Sequence, residues 1–286
     1  MVKYYNRKTK QIEQENSNQE KLLNFLYHTP IGRFCLWSFV ARPWVSKLRG
    51  IYQNSHLSKK DIVPFIEKNH IKNIEQPIDS FECFNDFFAR TKTLDIKDKS
   101  SNCFVSPADS KLQIFDITDE LKLKIKQSVY DVSDILDDEK MAKKFSGGQC
   151  AVFRLCVDDY HRYHFVDNGA LIFHKRIKGE LHTVRPVSEK YNVFARNSRE
   201  VSIIRTANFG DIAYIEIGAL LVGKINNHNK ITHRKFEEKG YFEFGGSTIV
   251  LLLQNKIEFD KDIIEKNQQG LEVKVFAGET IGVKRC

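Results

Sequence analysis

The sequence predicts an α+β fold, with an N-terminal helical region followed by a β-rich core of mainly antiparallel strands. Three observations predict it. Apolar residues fall at helical spacing through the first ninety or so positions. From about Cys103 onward they fall instead in short alternating or wholly apolar runs, and glycines at 169, 179, 223, 240 and 278 supply turns between those runs. The change of period divides the chain into a helical region, 1–98, and a β-rich core, 99–286.

In the helical region, Ser17-Asn18-Gln19-Glu20 has capping-box spacing, and Leu22, Leu23, Phe25 and Leu26 follow, so a helix begins here. After Pro30 comes an apolar stretch, Ile31 to Val45, broken by Arg33 and Arg42 and followed by Lys47 and Arg49; it holds both tryptophans, Trp37 and Trp44. Aromatic rings among scattered cations suit a helix lying in the headgroup region of a bilayer, and they suit equally a helix packed on the protein's own core. Further helices are predicted at Lys59 to Asn69 and, capped by Ser80, at Phe81 to Arg90, where Phe81, Phe84 and Phe88 share one core-facing side.

In the core, strands are predicted at Lys111 to Phe115, Leu121 to Ile125, Ala151 to Val157, Val201 to Arg205, Ile212 to Ile217, Thr248 to Leu253 and Leu271 to Phe276. Asn208-Phe209-Gly210-Asp211 reads as a hairpin connection.

The chain has 286 residues, enough for one large domain or a domain with an appendage. With 45 Lys and Arg against 37 Asp and Glu, its net charge of +8 favours an anionic partner, an acidic membrane or nucleic acid. Six cysteines without a CxxC pair read as free thiols in a reducing compartment. Nothing at the start resembles a signal or transit peptide, and no uncharged apolar run approaches the roughly 18 residues of a spanning helix. Membrane attachment is therefore expected to be peripheral, on the cytoplasmic side.

Three segments could carry chemistry. Asp159-Tyr160-His161-Arg162-Tyr163-His164 places two imidazoles and a carboxylate after an apolar strand, and a turn must intervene for both imidazoles to serve one site. His-x-x-His beside Cys150 or Cys156 lacks a second ligand pair, so no metal is expected. Ser106-Pro107-Ala108-Asp109-Ser110 is a tight bend that presents a carboxylate. Gly245-Gly246-Ser247-Thr248 leads into the apolar run Ile249 to Leu253, with a flexible carbonyl next to a hydroxyl. Singly, each reads as surface polarity, a turn or a bulge.

Together, in order and spacing, the three segments resemble the phosphatidylserine decarboxylase family. Phe87-Phe88-Ala89-Arg90, Lys178-Gly179-Glu180-Leu181 with Val184 and Pro186, Gly218-Ala219-Leu220-Leu221-Val222-Gly223 and Gly278-Glu279-Thr280-Ile281-Gly282 extend the resemblance from about residue 80 to the C-terminus. Ser110 departs from the glycine that many members carry after the turn aspartate.

The resemblance implies that Asp109, His164 and Ser247 form a charge relay for self-cleavage between Gly246 and Ser247. It implies a covalent pyruvoyl cofactor made from Ser247, which forms a Schiff base with phosphatidylserine and releases phosphatidylethanolamine. His161 becomes a candidate proton donor. The implied partners are the lipid substrate, an anionic membrane surface, and the 1–246 and 247–286 fragments for each other as a heterodimer, with self-association left open and no nucleic acid. On this reading residues 1–98 associate with the membrane and 99–286 are catalytic. The alternatives are a pyruvoyl decarboxylase of another serine lipid or a soluble amino acid, and a silent lipid- or nucleic-acid-binding module. A serine hydrolase would need a Gly-x-Ser-x-Gly elbow, which Ser247 lacks.

Overall fold

The computed structural model describes all residues except 1, 16–19, 42, 73, 126–127, 186, 189–191, 220–223, 229, 246 and 286. The capping segment 17–19 and Gly246 thus lie outside the described residues.

The architecture is α+β, with mostly antiparallel sheets. Its centre is a ten-stranded sheet in the order Thr232–His233, Gly169–Ile177, Arg199–Thr206, Asp211–Ile217, Ser247–Leu253, Gln149–Leu155, Ser110–Asp116, Glu272–Val275, Lys3–Asn6 and Gln11–Gln14. The predicted strands appear here with ends shifted by a residue or two, except that Lys122–Ile125 pairs with Ser128–Asp131 in a separate ribbon. The turn at 207–210 joins two strands in full register from Arg199↔Ile217 to Arg205↔Asp211. Gly210 there has φ +78°, a left-handed angle at which a Cβ would also collide with Asn255.

Ser247–Leu253 is buried along its whole length, which explains its unbroken apolar composition. Because strand side chains alternate, Ile249, Leu251 and Leu253 enter a core with Phe153, Leu112, Tyr163, Tyr214 and Phe242. Val250 and Leu252 enter a second core on the opposite face, with Val152, Ile215 and Tyr130.

Residues 3–14, at the front of the expected helical region, form instead a hairpin added to the sheet edge, with Tyr4↔Glu272 parallel and Tyr5↔Ile12 antiparallel. Tertiary pairing overrides local preference in such a short polar stretch. Charge fixes it there: Arg7 bonds Asp260, Asp262 and Glu279 at 2.6 to 2.8 Å. Helices follow at Glu20–His28, Pro30–Cys35, Pro43–Gln53 and Ile62–Asn69, with a π-helical turn at Leu36–Val40 and a 3-10 turn at His56–Asp61.

The Ser80 cap is not formed. Ser80 sits in a 3-10 turn and donates to the Pro77 carbonyl at 2.7 Å, and the helix runs from Phe84 to Phe88 with Cys83 at its N-cap position. The phenylalanines do face inward, where Phe81, Phe84, Phe87, Phe88 and Phe244 form one cluster.

The tryptophan segment packs one side on the protein's own core and leaves the other exposed. Leu36 and Ala41 are buried, and Trp37 packs edge-on to His182 and under Arg196. Ile31, Phe34, Trp44, Leu48 and Ile51 remain more than half exposed. Among the described residues, no helix is long and apolar enough to cross a membrane.

Candidate active site

Ser247 opens the central strand, paired with Leu155. Alternation sends its side chain to the face of Ile249 and Leu251, beneath the short Arg162–His164 strand that packs there through Tyr163. It is fully buried, and its Oγ has no hydrogen-bond partner among the described residues. A hydroxyl so placed is an unmet cost of about 1–3 kcal/mol, and Thr248 Oγ1 beside it is likewise without a partner among the described residues. Gly245, two residues before, has φ +136°, an angle that side chains avoid.

The turn expected between the two histidines is not formed: the chain reverses before both of them, and Arg162–His164 is extended. The Cys156 amide donates to Asp159 Oδ2 at 2.8 Å and the Asp159 amide to the Cys156 carbonyl at 2.9 Å, reversing the chain. His161 therefore precedes the next strand, while His164 ends it.

His161 is fully buried. Its Nδ1 bonds the Asp159 carbonyl at 2.8 Å, which fixes Nδ1 as the protonated nitrogen and leaves Nε2 as a lone pair with no well-formed hydrogen bond. The ring lies 4.1 Å from that of Phe88, and the Phe242 amide donates to the His161 carbonyl at 3.0 Å, so this imidazole is tied to the segment that leads to Gly245.

His164 is tied to the Asp109 turn. Its amide donates to the Pro107 carbonyl at 2.9 Å, its Nδ1 lies 3.4 Å from the same oxygen, and Tyr160 stacks on it with centroids 6.2 Å apart.

Asp109 accepts from Lys92 Nζ at 2.6 Å on both oxygens and from the Ala277 amide at 2.8 Å. Among the described residues, no hydrogen bond or ion pair joins Asp109, His164 and Ser247 directly. The turn brings Asp109 close enough to favour the charged form of His164 through its field.

Lys92, Phe88 and Tyr160 are members of this site that the sequence reading did not select. Phe88 lies within the quoted Phe87–Arg90 motif, so it was within reach; Lys92 carried no signal. The wall that holds Asp109, Arg90, Lys92 and Tyr160 borders a cleft of about 1170 Å³. Cys156, Asp158 and Asp159 bring three ligand atoms within 4.8 Å of one another, but Asp159 already neutralises Lys111 and Lys274, and its carboxyl is held well below the usual range by them.

Burial pushes both imidazoles down to about 4, against the opposing pull of Asp159 on His161 and of the Pro107 carbonyl on His164. Both are neutral at pH 7, as a base that takes a hydroxyl proton must be. The unfolded chain takes up protons below pH 6.5 that the folded chain refuses, so stability is complete above pH 6.5 and declines as pH falls toward 4. Urea midpoints at pH 7, 5.5 and 4.5 should fall in that order, and less steeply for His164→Gln. Equal slopes for the two proteins would count against a depressed His164.

A serine buried at the head of the central strand, with two buried imidazoles and a carboxylate turn on other elements of the same β-rich region, is a candidate enzyme site. The sequence model of phosphatidylserine decarboxylase matches residues 84–283. The chain is 46% identical over 286 residues to phosphatidylserine decarboxylase proenzyme 2 of Clostridium acetobutylicum, covering 98% of each. It is 44% identical to phosphatidylserine decarboxylase proenzyme of Clostridium kluyveri, covering 99% of each. With the namesake of Ruminiclostridium cellulolyticum it shares 43% identity, covering 99% of this chain and 97% of the relative. The chain belongs to the phosphatidylserine decarboxylase family.

Proposed function

We propose that the protein converts phosphatidylserine to phosphatidylethanolamine with a pyruvoyl group that self-cleavage between Gly246 and Ser247 makes from Ser247. The observation that carries this reading is the Ser247 hydroxyl, fully buried at the head of the central strand and without a partner among the described residues. The same observation is the test of fit for the group: Oγ would leave with the 1–246 carboxylate and Cβ would become the pyruvoyl methyl, an apolar group suited to a buried position that offers the hydroxyl no partner among the described residues.

In self-cleavage, a neutral imidazole takes the Oγ proton as Oγ attacks the residue 246 carbonyl, and the amide bond opens to an ester. β-Elimination releases the 1–246 carboxylate and leaves a dehydroalanine, which water converts to the pyruvoyl group with loss of ammonia. His164, held at the Asp109 turn, is the proposed base of the relay, and Lys92 must yield a carboxylate oxygen before Asp109 can bond it. His161, tied to the 242–245 segment with Nε2 open, is the proposed proton carrier for the product carbon. Once formed, the pyruvoyl group supplies a carbonyl that condenses with the substrate amine and draws off the electrons freed when carbon dioxide leaves.

The 247–286 fragment contributes Ser247–Leu253 and Glu272–Val275 to the sheet, each flanked on both sides by strands of the larger fragment. This topology supports a heterodimer that persists after scission. The exposed Ile31, Phe34, Trp44 and Leu48, interspersed with Arg33 and Lys47, support peripheral docking on an anionic membrane.

A denaturing gel with mass spectrometry should find two fragments split after residue 246, the smaller with a blocked pyruvoyl end, and phosphatidylserine in detergent micelles should release carbon dioxide. An intact chain that is active would overturn the reading.

A further inference from the structure

A cation stands where the proposed relay would close. Lys92 Nζ lies 2.6 Å from both Asp109 oxygens, and the Ala277 amide donates to Oδ1 at 2.8 Å. Oδ1 thus has two donors, whereas among the described residues Oδ2 has Lys92 alone. His164 meanwhile turns Nδ1 to the Pro107 carbonyl at 3.4 Å, at the outer limit of a hydrogen bond.

The lysine opposes a relay in two ways. It occupies the oxygen that would accept from Nδ1, and its charge disfavours the imidazolium that His164 becomes on taking a proton. The two side chains of the pair are 23% and 11% exposed, so water and salt screen it less than a surface pair. Lys92 Nζ also sits 4.7 Å from the centre of the Tyr160 ring, which stacks on His164. Burial is the main cause of the low His164 value, and Lys92 adds to it. Asp109 and Glu238 pull the other way, and Glu238, opposite His164 on the next strand, is itself paired with Arg162.

The backbone around Lys92 is anchored although residues 91–100 form no helix or strand. Gln76 Nε2 donates to Thr91 Oγ1 at 2.5 Å, and the Thr93 amide and hydroxyl donate to Glu75 at 3.0 Å. The lysine side chain, in contrast, borders the cleft of about 1170 Å³. Rotation of that side chain into the cleft is enough to free Oδ2, while the Ala277 amide keeps its hold on Oδ1.

We infer that Lys92 is a brake on self-cleavage: it holds Asp109 in a resting arrangement, and the relay to His164 forms only when the ammonium group leaves Oδ2 for the cleft. The inference rests on the proposed function. Lys92 acts through Asp109 and is a positioning residue. Its removal should therefore speed a step that damage to the fold would slow.

Lys92→Met keeps an unbranched side chain at an anchored position and removes the charge. The full-length chain is pulse-labelled during cell-free synthesis and chased on denaturing gels at pH 7. The uncut band of the variant should disappear at least about threefold faster than that of wild type. Lys92→Arg, which restores a cation, should lose most of that gain. A half-time for Lys92→Met equal to wild type or longer would overturn the inference.

A readout without cleavage separates the brake from the reaction it restrains. In the uncut Ser247→Ala chain, the His164 imidazole is titrated by NMR with and without Lys92→Met. Loss of the lysine should raise its midpoint by about half a pH unit or more, the same free energy as a threefold change. A midpoint that stays or falls would overturn the inference as well. If wild type is cut and Lys92→Met is cut no faster, the brake alone is refuted. If neither is ever cut, the proposed function falls and takes the brake with it, and a raised midpoint then leaves Lys92 only its hold on the charge of His164.

Discussion

Ser247→Ala is expected to remain a single uncut chain, to release no carbon dioxide from phosphatidylserine, and to be as stable as the wild type or slightly more so. The first two outcomes follow from the proposed chemistry, since alanine offers neither a nucleophile nor a route to a pyruvoyl group. The third follows from the structure alone. The hydroxyl is fully buried and has no partner among the described residues, so removing it relieves a desolvation cost of about 1–3 kcal/mol and leaves a void of only one oxygen atom. Gel mobility and carbon dioxide release report the first two, and a urea midpoint within about 1 kcal/mol of uncut wild type, or above it, reports the third. A large drop in stability would mean that the hydroxyl has a structural partner and that its isolation is not the mark of a reactive group.

The largest expected effect on stability comes from Arg154. It is buried in the central sheet, bonds Glu15 at 2.9 Å, and grips Glu272 with two of its nitrogens. Glu272 is far below the proposed break in sequence, and Glu15 lies just after the N-terminal hairpin. One guanidinium thus ties together the front of the chain, the central sheet and the proposed small fragment.

Arg154→Met takes from two buried carboxylates the guanidinium they share and should cost about 3–5 kcal/mol. The midpoint of urea unfolding measures it. Adding Glu272→Leu should recover part of the loss, because the second substitution removes a charge that the first has stranded. If the double variant were as unstable as the sum of the single ones, the pair would not interact as the geometry indicates.

Much of the core was legible in the sequence because its strands are wholly apolar or alternate cleanly. Residues 248–253 could be placed as a buried strand from composition alone, and the 208–211 turn from its Asn and Gly. The N-terminal hairpin was not legible. Its strands are four residues each and polar, and only the edge offered by Glu272–Val275 makes them extended. Ser80 has the composition of a cap, but the chain before Phe84 turns in a 3-10 geometry that carries its hydroxyl to Pro77 instead.

The candidate site divides in the same way. Asp109, His161, His164 and Ser247 could be selected from the sequence because each lies in a segment whose order and spacing are distinctive. Lys92 could not, since it reaches Asp109 only through the fold, and nothing around it in the chain announces a partner seventeen residues on. Nor could spacing separate the imidazoles. The extended chain at 162–164 does so, leaving His161 against Phe88 and His164 at the Pro107 carbonyl.

By itself the sequence determined the fold class, the family and the apolar, basic character of the helical segment, because these depend on residue type, order and local period. Tertiary structure alone decided that Ser247 has no partner among the described residues and that Trp37 turns inward while Trp44 stays exposed. Each of these depends on which groups arrive from distant parts of the chain, and burial, pairing and vacancy are properties of that meeting rather than of any single segment.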